Sequence, residues 1–185
     1  MSVVGYRARN HPQQVNKRKA NDEVDDRATT QELFQPLNDR FGGFTLDVAA
    51  ARHNTKCERF YTREDDGLIL PWSQTASGFD QGAERVWCNP PFSNIAPWVE
   101  KAWAEHERTG VIAMLLPNNR AEQSWWQRMV EPYRDRDLSP LHSEFLSGRP
   151  RFIKKGQTEV GVNERPPFGL VLLIWMPAGN TAVPA

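Results

Sequence analysis

Cysteine is nearly absent from this chain: there are two in 185 residues, Cys57 and Cys88. Two thiols cannot build a disulfide framework, nor a zinc site by themselves, and their expected state is reduced. Long apolar runs are also missing. The longest, "FGLVLLIWMP", falls well short of a bilayer span. The first residues hold no apolar segment of the signal-peptide kind. Net charge is zero, with 23 basic and 23 acidic side chains, so overall charge points to no partner. His53, His106 and His142 fit no metal-ligand or nucleophile spacing, and no metal is expected. Secreted disulfide scaffolds, membrane proteins and zinc modules are thereby disfavoured. The expectation is a cytoplasmic protein with no membrane association and no obligate protein partner.

What the chain does have is uneven charge. Arg7, Arg9, Lys17, Arg18 and Lys19 come first, and Asp22, Glu23, Asp25 and Asp26 then reverse the sign. A second basic cluster, Arg149, Arg151, Lys154 and Lys155, lies in "SGRPRFIKKG". Residues 1–28 are polar and without period, and read as a disordered arm. One domain is expected over 29–177, with a flexible tail at 178–185.

Within that domain, "TTQELFQPLNDRFGG" predicts a helix, with Thr29 and Glu32 as a capping box and Pro36 limiting its length. "FTLDVAA" predicts a buried strand with Asp47 near its carboxyl end, and "CERFYT" and "GLIL" are weaker strand candidates. "RVWCNPPF" is a strand that stops at the prolines. "APWVEKAWAEHERTG" and "AEQSWWQRMVEPY" follow a helical period, and "VIAMLLP" is a strand buried on both faces. "LHSEFL" and "FGLVLLIW" are the last strands, and the segment 147–167 joining them reads as a long polar loop. The alternation predicts α/β layers around a mostly parallel sheet.

"VWCNPPFSN" carries the chemistry. In open α/β sheets ligands sit beyond the carboxyl ends of the strands, where this turn falls. An exocyclic amine on a nucleobase is a poor nucleophile because its lone pair is delocalised into the ring. Two acceptors aimed at its hydrogens draw the nitrogen toward sp³ geometry. Asn89 offers a side-chain carbonyl, and the backbone carbonyl of Pro90 offers a second, held by the Pro90–Pro91 pair. Phe92 offers a flat face for a base swung out of its stack. The plain alternative is a strand-ending turn with Phe92 in the core.

"NPPF" resembles the [DNS]-P-P-[YF] signature of class I methyltransferases that act on planar amines with S-adenosylmethionine. The ordered set "TTQELF", "FTLDVAAARHNTKC", "FYTREDDGL", "VWCNPPFSN", "LLPNN" and "SGRPRF" is similar to the small phage-type, Dam-like DNA N6-adenine methyltransferases, over about residues 29–176. The resemblance implies a Rossmann-like class I sheet of seven strands. That sheet would be mostly parallel with an antiparallel last strand, and compressed between its first and fourth strands. It also implies direct methyl transfer to adenine N6 in double-stranded DNA, in the host cytoplasm if the gene is phage-borne.

The same resemblance implies site residues. Asn89, Pro90, Pro91 and Phe92 would be catalytic, although an aspartate is commoner at the position of Asn89. Asp47, Thr30, Asp65, Asp66 and Asn89 are candidates to hold the cofactor. Asp47 could instead be a capping or ion-paired residue, and Asp65 and Asp66 a solvated turn. "LDVAAARHN" lacks the glycine-rich loop that many methyltransferases place after this strand. Arg149, Arg151, Lys154 and Lys155 are candidates for DNA phosphates, or a solvated loop. Rival readings are methylation of an RNA base or a protein glutamine amide, and a nucleic-acid-binding relative that has lost catalysis.

Overall fold

A computed structural model describes residues 25–73, 84–161 and 166–177. Its elements in chain order are β1 (Arg27–Thr29), α1 (Gln31–Arg40), β2 (Leu46–Asp47), β3 (Arg59–Phe60), β4 (Arg85–Cys88) and α2 (Ala96–Glu105). After a 3₁₀ turn come β5 (Val111–Pro117), α3 (Ser124–Met129), β6 (Leu141–Phe145), β7 (Phe152–Lys154) and β8 (Leu170–Trp175).

Strand alternation sets the layers. On β4, Val86 and Cys88 face one side of the sheet and Trp87 the other. Ile112, Met114 and Leu116 of β5 and Val171, Leu173 and Trp175 of β8 join the first side, their neighbours the second. The first face is covered by α2 and α3 through Trp98, Val99, Ala102, Trp125 and Trp126. The second is covered by α1 through Phe34 and Leu37, with Phe41 and Phe44 following. Both faces are therefore apolar, and all seven residues of β5 are buried.

The main sheet runs β3-β2-β4-β5-β8-β6. The first four strands are mutually parallel, and β8 runs antiparallel to both β5 and β6. This is the mostly parallel sheet with a reversed last strand that the sequence led us to expect. Its compression is also present: β2 passes to β3 through turns rather than a helix.

Several local expectations need correction. The main sheet has six strands among the described residues, not seven. "GLIL" is not a strand: Asp66 takes φ 58°, and Gly67 packs so closely on the Val48 carbonyl that a Cβ would lie 2.1 Å from it. Thr29 does not cap α1. It lies in β1, Thr30 is the N-cap, and no side chain makes a capping bond there. Helix α3 is only six residues long. Finally, β1 starts inside the expected arm and pairs antiparallel with β7, which lies in the expected 147–167 loop. The rest of the arm, 1–24, and the tail, 178–185, lie outside the described residues.

Candidate active site

The parallel strands β2 and β4 end side by side, with Asp47 paired to Trp87, and so bring Asp47 near the Asn-Pro-Pro-Phe turn. Asn89 follows Cys88, the last residue of β4, where the diproline prevents the ladder from continuing. Its amide nitrogen donates to the Arg27 carbonyl at 3.2 Å. Its carbonyl oxygen, Oδ1, is buried and has no hydrogen-bond partner among the described residues. The amide thus has one N–H engaged and its acceptor unused. Pro90 is buried, and Pro91 and Phe92 are half-buried. The Phe92 ring meets Phe152 and Phe168 edge-on, with centroids 5.9 and 6.0 Å away.

The cofactor candidates occupy different settings. Asp47 is 3% exposed, and its carboxylate accepts backbone N–H groups of Ala49 at 3.3 Å and Lys56 at 3.0 Å. It therefore closes the glycine-free loop 49–56 on itself. Burial raises its pKa to about 6, against the lowering effect of those two hydrogen bonds and the nearby Lys56 charge. Asp65 is exposed and caps the turn, accepting the Thr62 backbone N–H at 2.8 Å and hydroxyl at 2.7 Å. These bonds hold its carboxyl below the ordinary range. Asp66 accepts the Leu68 N–H at 3.0 Å. Thr30, next to β1, makes no capping bond.

Of the basic cluster only Lys154 lies in β7; the other three sit in the irregular segments on either side of it. Arg149 and Arg151 precede the strand and are exposed. Lys154 is paired with Arg27 in the β1–β7 ladder, and Lys155 forms an ion pair with Asp26 at 3.1 Å. Between this ribbon and loop 53–56 lies a cavity of about 280 Å³, lined among others by Asp26, His53, Lys56, Lys154 and Lys155. Asn89, Asp47, Asp65 and Asp66 do not line it. The structure therefore brings Asn89 and Asp47 to the adjacent ends of β4 and β2, places Thr30 at the start of α1, and leaves the basic cluster at and around β7.

Sequence reasoning missed what covers the turn. Asp25 accepts the Ser93 backbone N–H at 3.1 Å and also the Ser93 hydroxyl. Asp26 contacts His53 Nε2 and Asn54 Nδ2, each at 3.1 Å, as well as Lys155. The signal available was slight: Ser93 directly follows the motif, and the arm turns acidic before its end.

A rigid Asn-Pro-Pro-Phe turn beyond the carboxyl end of a central parallel strand, in a sheet whose last strand is reversed, is the arrangement of class I methyltransferases. Sequence comparison narrows the class. The chain belongs to the DNA N-6-adenine-methyltransferase (Dam) family, whose model matches residues 16–181. A DNA N-6-adenine-methyltransferase of Escherichia phage T1 is 36% identical over 90 residues, 49% of this chain and 34% of that one. Another, of Haemophilus phage HP1 (strain HP1c1), is 32% identical over 87 residues, 47% of this chain and 45% of that one. The match thus spans less than half the length of either relative. A solved structure from Thermoplasma acidophilum, assigned as a methyltransferase, matches with a TM-score of 0.40 and 14% identity, covering 82% of this chain and 66% of that one. A likeness that loose adds nothing to the strand order described above.

Proposed function

We propose that this protein transfers a methyl group from S-adenosylmethionine to the N6 amino group of adenine in double-stranded DNA. One observation carries the reading: the buried, partnerless Oδ1 of Asn89 at the end of β4. Leaving a buried acceptor unpaired costs about 1–3 kcal/mol, and such groups are rare unless something else fills them. An amine N–H is the natural complement. The Arg27 carbonyl takes an N–H of the same amide, which identifies the unpaired atom as the oxygen and not the NH₂. Family membership supports adenine as that base.

S-adenosylmethionine supplies, when bound, a methyl group activated by its sulfonium charge. Of the candidate residues, Thr30 and Asn89 are the ones we expect to touch it or its target. Asp47 and Asp65 use their carboxylates on their own loops, so their contribution is to shape loop 49–56 and the 62–67 turn. Asp66 likewise accepts a bond within its turn. Asn89 is neutral; it accepts a hydrogen bond from the amine but takes no proton, which leaves to water. Pro90 and Pro91 keep the turn rigid, so catalysis rests on positioning. Phe92 presents its ring beside the amine, backed by Phe152 and Phe168. Arg149, Arg151, Lys154 and Lys155 meet the phosphate backbone, so affinity should fall with salt.

Substitution of Asn89 tests the assignment. Asn89→Ala should lower methyl transfer at least about a hundredfold, the scale of losing one preorganised hydrogen-bonding group. Its affinity for S-adenosylmethionine by calorimetry should stay close to that of the parent. Transfer by Asn89→Ala at near-parental rate would show that the amide plays no part in activating the amine.

A further inference from the structure

The segment that covers the Asn-Pro-Pro-Phe turn is held there by two adjacent carboxylates. Asp25 takes the backbone N–H and the hydroxyl of Ser93, the residue directly after Phe92. A main-chain N–H and a hydroxyl converging on two oxygens of one anion is how proteins grip a phosphate. Asp26 sits against Lys155 Nζ, His53 Nε2 and Asn54 Nδ2, all at 3.1 Å. That second set lines the 280 Å³ cavity, which leaves room for a larger anion than a carboxylate.

With residues 25–29 in this seat, the segment lies directly against Asn89. The Arg27 carbonyl occupies the amide nitrogen, and Oδ1 is buried without a donor. A strap that never moved would leave that acceptor unsatisfied in every state. Its anchor is slight: β1 contributes three residues to a two-stranded ribbon with β7. Ribbons of this size are marginal by themselves, so loss of the two carboxylate contacts would favour opening.

We propose that Ser93, and the set formed by His53, Asn54 and Lys155, are two oxyanion subsites for phosphates flanking the target nucleotide, filled in the closed state by Asp25 and Asp26. The chain's own acids mimic phosphate and keep the site shut, and DNA displaces them as it enters. This rests on the proposed DNA-methylating function, but it concerns binding and can be read without methyl transfer.

The experiment is fluorescence anisotropy of a labelled double-stranded oligonucleotide at fixed salt, without cofactor. The variant Asp25→Asn/Asp26→Asn is compared with the parent and with Glu100→Gln/Glu107→Gln, which removes the same charge from the exposed face of the α2 region. The strap variant should bind about tenfold more tightly, because the competent state is no longer a minor one. The control pair should change affinity less than about threefold, as a bulk-charge effect. Adding Ser93→Ala to the strap variant should reverse most of the gain. Amide hydrogen exchange of residues 27–29 should be faster in the strap variant, and faster in the parent once DNA is added. Equal tightening by both acid pairs, or unchanged affinity and exchange in the strap variant, would overturn the strap while leaving the DNA reading intact. Absence of oligonucleotide binding by every variant would overturn both.

Discussion

At the scale of single residues, burial and hydrogen bonding decide what each polar group can do. Asn89 and Asp47 lie near each other at adjacent strand ends, yet they are opposites: one has an unused acceptor, the other a fully engaged carboxylate. Asp47 makes a prediction with a definite sign. Its folded pKa of about 6 lies above the ordinary aspartate value of 3.8, so the fold favours the protonated form and ionisation opposes folding. Well below pH 3.8 the group is protonated in both states and costs nothing. The cost grows as pH rises through that interval and is complete above the folded value, at about 3 kcal/mol. Urea unfolding between pH 4 and 7 should therefore show the parent losing stability relative to Asp47→Asn up to about pH 6, after which the two curves run parallel. Curves parallel throughout would contradict the burial assigned to this carboxyl.

At the scale of elements, the parts that could be read from the sequence are those whose residues are dictated locally. Strands β5 and β8 are continuous apolar runs, and α2 carries Trp98, Val99 and Ala102 on one buried side. The end of β4 was legible because two prolines cannot continue a ladder. The β1–β7 ribbon was not. Its strands, "RAT" and "FIK", are three residues each, short and mixed in polarity, and they meet across more than a hundred residues of chain. Nothing in either segment alone signals the pairing. "GLIL" misled for the converse reason: it is an apolar run, but the left-handed Asp66 and the close approach of Gly67 to Val48 bend it into a turn. The capping box failed because Thr29 was already committed to β1. The Asn89 turn was legible from its tetrapeptide, whereas Ser93 and the acid that grips it needed the ribbon to be seen.

The ribbon carries its own prediction. Phe152 is 4% exposed, pairs with Thr29 in the ladder and packs edge-on against Phe92. Phe152→Ala should lower unfolding stability by about 3–5 kcal/mol, the usual range for a buried ring. It should also speed amide exchange in β1 more than in β5. A stability loss below about 1 kcal/mol would mean that the ribbon is not packed on the turn as described.

At the scale of the whole molecule, the described residues form one α/β layered unit, with the Asn-Pro-Pro-Phe turn at the carboxyl end of a parallel strand and a small two-stranded ribbon beside it. No helix among the described residues is long and apolar enough to cross a membrane. The sheet is shortened where β2 turns directly into β3, and Asp47 organises the loop in place of glycine. In the proposed function, one part of the surface has three jobs: hold the sulfonium donor, admit a base and meet phosphates. Identity of product tests all three together. Unmethylated double-stranded DNA should be incubated with the full chain and S-adenosylmethionine, digested to nucleosides and analysed by mass spectrometry. The account predicts N6-methyldeoxyadenosine that accumulates with time and is lost in Asn89→Ala; folded, cofactor-binding protein that forms none, or that methylates a different atom, would contradict it.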